Sequence, residues 1–332
     1  MRAPRAAGVR HGDITENTEM DDIESLVPQP GEAGFWYRSD LRDVGWRTRL
    51  PDAVLAELED ATVGGSAGLA ATQALMEQVR DRLFRGHGVV AAGTLPVREW
   101  GEARARAAVA LLARCLGEPV AQGLSGTTFY AVQDQGVSPA PGVRRSLTNV
   151  EQPFHSDGPW VCEPPWTVSM SIIRRAPRGG DSRCLSLKAL FADLAAREPE
   201  LFECLAWPLP WHRQGEHAAQ EVPVSRHPMV WRDADDRWCA RMYNDYVRTG
   251  YDCAGATADE AVSTALERLD ELANEPHRRL EFTLADGELL WLNNRWCAHS
   301  RTAFETPSQG NRRRLLIRVW HRLPGEATSL DT

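Results

Sequence analysis

Nowhere in its 332 residues does the chain hold an apolar run close to the roughly 18 residues that a membrane-crossing helix needs. Residues 1–24 also lack the apolar stretch of a secretory leader. The expectation is therefore a soluble, cytoplasmic protein. Paired cysteines are missing as well. The 7 cysteines (Cys115, Cys162, Cys184, Cys204, Cys239, Cys253, Cys297) are odd in number, scattered and without a CxxC spacing, so neither a disulfide framework nor a structural zinc site follows from them. There is no excess of basic residues: 38 Lys and Arg against 46 Asp and Glu leave a net charge of -8. Such a field favours neither nucleic acid nor an anionic membrane as partner and leaves a small molecule open. Internal repeats, low-complexity segments and linkers between two cores are also absent. The organisation expected is a flexible tail over residues 1–30 and one domain over 31–325.

What is present reads first as helices and then mostly as short strands. Residues 51–84 carry helical periodicity in two stretches separated by Val63-Gly64-Gly65-Ser66, and 87–92 read as a strand. An Ala- and Arg-rich helix over 99–116 is stopped by Gly117-Glu118-Pro119. From Gly123 onward β-like runs at 127–132, 166–173, 279–284 and 314–320 alternate with turn residues. Asp286-Gly287 between two apolar runs predicts a hairpin. Two helices interrupt this region, at 187–197 and 258–274, the second opened by a capping box of Thr257 and Glu260. The pattern is that of an α+β protein, a sandwich or jelly roll with helices packed outside.

The chemistry starts at Phe154-His155-Ser156-Asp157-Gly158. A His and an Asp two apart on a strand point to one face, where imidazole and carboxylate can share a metal ion. A third ligand must come from elsewhere, and the best is His299, which follows the apolar run Leu289-Leu290-Trp291-Leu292. Two His and one carboxylate leave three positions of an octahedron open, the facial set of non-haem iron(II) oxygenases. The spacing by itself does not exclude zinc. A second feature favours iron. Arg314 and Arg318 are four apart on a predicted strand and share its face. A guanidinium turned inward on an apolar strand is costly unless it meets an anion, and a dicarboxylate cosubstrate supplies one.

The series His155-x-Asp157, Gly179-Gly180-Asp181-Ser182, His299, Arg314 and Arg318, spread over about residues 80–322, resembles the taurine dioxygenase (TauD/TfdA) family of iron/2-oxoglutarate oxygenases. The resemblance implies a cupin-like double-stranded β-helix and iron(II) on His155, Asp157 and His299. It implies 2-oxoglutarate as cosubstrate, with its distal carboxylate on Arg314 and on the hydroxyl of Ser182, where the family usually has Thr. Arg318 matches a second arginine near the metal that in some members meets an anionic group of the substrate. With O₂, 2-oxoglutarate is oxidatively decarboxylated to succinate and CO₂ while a small organic substrate, a natural-product or amino-acid-like intermediate, is hydroxylated or otherwise oxidised. Asp157 argues against the related halogenases, which have Gly or Ala at that place.

Asn149 and Trp160 flank the His-x-Asp segment and are candidates for the substrate pocket. Two other functions stay open: a cupin-like protein that binds metal and 2-oxoglutarate without turnover, and a zinc hydrolase. The remaining histidines are read as ordinary polar residues, and most of the 12 tryptophans as core and pocket walls.

Overall fold

A computed structural model describes residues 23–42, 45–66, 68–140, 143–307 and 313–322. The expected tail falls partly outside these, over 1–22, and its boundary is corrected for the rest. Ile23 is only 8% exposed and belongs to the core. The Trp238 indole N–H donates to the Leu26 carbonyl at 2.7 Å, so the chain is anchored well before residue 31.

The elements follow in chain order: β1 (Arg47–Arg49), α1 (Asp52–Thr62), α2 (Ala70–Arg85), β2 (Val89–Gly93), α3 (Val97–Leu116), β3 (Glu118–Val120), β4 (Phe129–Val132), β5 (Gln152–His155), β6 (Thr167–Arg174) and β7 (Ser182–Ser186). Then come α4 (Leu187–Arg197), α5 (Pro199–Leu205), β8 (Leu209–His212), β9 (Val224–His227), β10 (Val230–Arg232), β11 (Trp238–Ala240), α6 (Asn244–Cys253) and α7 (Glu260–Asn274). The last strands are β12 (Leu280–Phe282), β13 (Leu289–Asn293), β14 (Cys297–Arg301) and β15 (Leu315–Arg322). Among the described residues no helix is long and apolar enough to cross a membrane.

Two sheets dominate. The larger runs β1-β2-β13-β6-β15-β3 with β4 also paired to β15, and the smaller runs β12-β7-β14-β5. The chain passes back and forth between the two over β4–β7 and again over β12–β15, while β8 with β9 and β10 with β11 form two separate two-stranded sheets between these stretches. The central strands β2, β13, β6 and β15 of the larger sheet are buried on both faces, which is why β2 and β13 read as unbroken apolar runs. Alternation along β15 sorts its side chains. Leu315, Ile317 and Val319 pack with Val54, Leu83 and Leu112 of the helical layer α1–α3, while Leu316 and Trp320 pack in the core between the sheets. Arg314 and Arg318 share the inward face with Leu316. A register shift between Leu315 and Leu316 skips a residue of β6 and leaves the alternation of β15 itself intact.

Three local expectations change. The turn at Asp286-Gly287 is real but joins no hairpin, because β12 pairs with β7 in the smaller sheet and β13 with β2 and β6 in the larger. Asp286 accepts from the Arg175 N–H at 2.8 Å and the Gly287 N–H donates to the Ile172 carbonyl at 2.7 Å, so this corner is tied to the end of β6. Helix α7 starts at Glu260 with Asp259 as its N-cap and no side-chain cap bond, in place of a box built on Thr257. Helix α3 begins at Val97 and is kinked at Gly101, whose φ is 75°.

Candidate metal centre

The adjacency of β5 and β14 builds the centre. In their antiparallel ladder His155 and His299 are direct partners, and their rings lie 4.2 Å apart. The strand carrying the His-x-Asp segment ends at His155, so Asp157 is aimed by a bend rather than by strand alternation. The Asp157 N–H donates to Asn294 Oδ1 at 2.7 Å, and Asn294 Nδ2 donates back to the Asp157 carbonyl at 3.0 Å. Gly158 completes the bend at φ 62°, and a Cβ there would lie 3.1 Å from the Trp320 ring, so glycine suits the position twice over. One ligand atom from each of His155, Asp157 and His299 falls within 4.8 Å of the others.

All three side chains are buried. Burial pushes the His155 imidazole down to about 3, with the charge of His299 acting in the same direction. Burial also lowers His299. Both rings are therefore neutral near pH 7 and keep a lone pair for a metal. For His155 the tautomer is set: Nδ1 lies 2.9 Å from the Pro153 carbonyl, which can only accept, so Nε2 carries the lone pair, and it accepts from Gln152 Nε2 at 2.9 Å. His155 Nε2 is 3.7 Å from Asp157 Oδ1. Burial raises the Asp157 carboxyl, but the Arg318 guanidinium leads the groups that outweigh it, and the net shift is downward. His299 Nδ1 is buried without a partner among the described residues. Two neutral imidazoles and one carboxylate, one nitrogen still unsatisfied, fit a divalent transition metal that keeps open positions.

Beside the triad lies a cavity of about 40 Å³ lined by His155, His299, Ser182, Arg301, Arg314 and Arg318, with no Asp or Glu in its wall. Arg314 is 5% exposed, and its Nη1 has no partner among the described residues. Burial lowers its pKa to about 10. Gly180 lies against it; a Cβ there would be 3.3 Å from Arg314 Nε. Arg301 is a second buried cation that sequence reasoning passed over. Its pKa falls to about 9 through burial first and the Arg314 charge next. Its Nη2 donates to the Thr148 carbonyl at 3.3 Å, while Nε has no partner among the described residues. The signal was available, since Arg301 stands two residues after His299 and so shares its face of β14.

Arg318 sits closer to the triad than to any outer pocket. Its Nη1 donates to Asp157 Oδ1 at 2.9 Å and its Nε to Gln122 Oε1 at 2.8 Å. The Trp320 indole N–H donates to the other Asp157 oxygen, Oδ2, at 2.9 Å. Trp160 lines a second cavity at the triad, of about 30 Å³, together with Arg144, Arg145, Tyr243 and Tyr246. Trp160 and Trp320 also form part of the wall of a wider cavity of about 410 Å³. Asn149 is not brought there: it is exposed and lines none of these cavities, and its carbonyl is taken by the Phe304 N–H at 3.0 Å. Tyr243, Tyr246, Gln122 and Trp320 were not singled out from the sequence. The Tyr243 ring lies 5.0 Å from His155 and is stacked on Tyr246 at 3.8 Å.

Residues 45–320 match the family described as taurine catabolism dioxygenase TauD, TfdA family. Over 162 residues the chain is 25% identical to a trimethyllysine dioxygenase of Meyerozyma guilliermondii, an overlap of 48% of this chain and 40% of that protein. The chain thus spans less than half the length of that relative. It is 27% identical over 227 residues to a uridine-5'-phosphate dioxygenase of an Amycolatopsis species, covering 66% of this chain and 80% of the other. In fold it is similar to an asparagine oxygenase solved with Fe(II), 2S,3S-3-hydroxyasparagine and succinate. The TM-score is 0.60 at 20% identity, over 83% of this chain and 93% of that one.

Proposed function

The chain belongs to the taurine catabolism dioxygenase TauD, TfdA family, and from that premise we propose that it is an iron(II)- and 2-oxoglutarate-dependent oxygenase acting on a small organic substrate. The observation that carries the reading is the triad within 4.8 Å beside a buried guanidinium, Arg314, that no carboxylate in its cavity neutralises. The two sheets are then the halves of a double-stranded β-helix, and the chain from Ile23 onward one domain built around it.

His155, Asp157 and His299 would hold iron(II), and Arg314 with the Ser182 hydroxyl would hold the distal carboxylate of 2-oxoglutarate, with Arg301 adding positive charge to the same cavity. Iron and the keto-diacid, when bound, let O₂ be consumed with release of succinate and CO₂, one oxygen atom going to succinate and the other to the substrate. The protein's part is geometry and dryness. The neutral imidazoles offer lone pairs without first losing protons. Arg314 grips a carboxylate through paired N–H groups and sets the direction in which the keto-acid end points. The burial of all three ligand residues excludes water that would intercept an oxidising centre.

The named relatives act on amino acids and a nucleotide. At the triad Arg144 and Arg145 meet Trp160, Tyr243 and Tyr246. This supports an amino-acid-like or natural-product substrate with an apolar or planar part, the two arginines being already ion-paired, Arg144 with Glu216 and Arg145 with Asp245. A hydrolytic zinc site would leave Arg314 without an anion, and nothing at the site favours it. The test is succinate formation by the purified protein with Fe(II), 2-oxoglutarate, ascorbate and a panel of such substrates. The expected result is succinate that depends on O₂ and is lost when Zn(II) replaces Fe(II). Turnover that is indifferent to O₂, or absence of both turnover and 2-oxoglutarate binding, would overturn the reading.

A further inference from the structure

The two oxygens of Asp157 are treated differently by the protein. Oδ1 faces the triad, 3.7 Å from His155 Nε2. Oδ2 is capped by the Trp320 N–H at 2.9 Å. An indole has a single N–H and no acceptor, so this bond uses its whole polar capacity. The ring cannot follow a moving carboxylate. It is 5% exposed and set by the ladders of β15, where Trp320 faces Val168 of β6 and Val120 of β3. Gly158 lies against its far edge, near enough that a Cβ would come within 3.1 Å.

We propose that Trp320 is a positioning residue that restricts Asp157 to binding the metal through one oxygen, so that three coordination positions stay open. The proposal rests on the reading of Asp157 as a ligand. A carboxylate that turned to offer both oxygens would break the Trp320 bond and leave a buried N–H without an acceptor, which is costly. It would also fill one of the three positions. The keto-acid needs two of them and O₂ the third, so two-oxygen binding by Asp157 would block O₂ while leaving the cosubstrate bound. Arg318 does not do the same work, because it touches Oδ1, the oxygen on the metal side.

The test replaces Trp320 in the full chain with 3-benzothienylalanine, which keeps the ring shape and puts sulfur where the N–H was, and separately with Phe. Each protein, loaded with Fe(II) and 2-oxoglutarate without air, is titrated with nitric oxide as a probe of the O₂ position, read by electron paramagnetic resonance. Both variants are expected to bind nitric oxide about 10-fold or more weakly and to show a raised KM for O₂, with the 2-oxoglutarate affinity within about 3-fold of wild type. Wild-type nitric oxide affinity and KM for O₂ in the benzothienylalanine protein would overturn the proposal and leave Trp320 a packing residue. Asp157→Ala separates the premise. It is expected to weaken Fe(II) binding by at least about 10-fold, and unchanged Fe(II) binding there would refute the ligand reading itself.

Discussion

Arg314 carries a full charge to a place where nothing among the described residues cancels it, and that cost marks it as functional. Arg314→Met removes the charge and keeps much of the volume. The unliganded variant is expected to unfold in urea at the same or higher concentration than wild type. Its KM for 2-oxoglutarate should rise on the order of 100-fold, the worth of about two charge-assisted hydrogen bonds. A variant that is less stable but binds 2-oxoglutarate normally would show Arg314 to be structural. His321 gives a second prediction. It is buried with its Nε2 2.8 Å from Ser169 Oγ, and burial lowers its pKa from 6.5 to about 3. As pH falls below 6.5 the unfolded chain takes up a proton that the folded chain refuses, so stability is lost between 6.5 and about 3. At pH 5 this one group should have cost about 2 kcal/mol. Urea titrations of wild type and His321→Gln at pH 7.5 and 5 should show the acid loss smaller in the variant by about that amount; equal losses would contradict it. His155 with Asp157, and Arg314 with Arg318, were legible as candidates through their two-residue and four-residue spacings, and His299 through the apolar run that precedes it. Gln122, Tyr243 and Trp320 were not, since each acquires its role only by lying against a residue distant in the chain. Asn149 was misjudged for the same reason: it lies before β5 begins at Gln152, exposed and with its carbonyl held by the Phe304 N–H, so nearness in sequence to His155 does not bring it to the cavity.

At the scale of elements, β15 shows how one strand serves two layers. Its odd-numbered residues seal the helices and its even-numbered ones deliver Arg314, Arg318 and Trp320 to the site. The apolar runs of the larger sheet were readable because helices cover its outer face and the second sheet its inner one. The corner at Asp286-Gly287 was readable as a turn and not as a crossing. Turn chemistry reports that the chain reverses, whereas the choice of partner strand is made by β7 and β6, far away in sequence. Gly287 has φ 84°, and a Cβ on it would meet the Leu95 carbonyl oxygen at 2.0 Å. Gly287→Ala is therefore expected to destabilise by about 2 to 4 kcal/mol through strain and a backbone clash. Chemical denaturation measures it, and a loss under about 0.5 kcal/mol would mean that the corner is free to adjust.

Across the whole molecule, the His-x-Asp bend, β14 and the start of β15 come from segments far apart in the chain and converge between two sheets. The jelly-roll expectation came from strand count and turn punctuation; the structure has mixed helices and sheets, the two main sheets holding 7 and 4 strands among the described residues. The central claim is that His155, Asp157 and His299 hold iron(II) and that Arg314 seats 2-oxoglutarate against it. A keto-acid that chelates iron(II) produces a visible metal-to-ligand charge-transfer band, so the most direct measurement is the anaerobic absorption difference spectrum on adding 2-oxoglutarate to the Fe(II)-loaded protein. The account predicts a band that appears in wild type, is lost in His299→Ala, and in Arg314→Met needs far more 2-oxoglutarate. No band in wild type, or an undiminished one in His299→Ala, would contradict it.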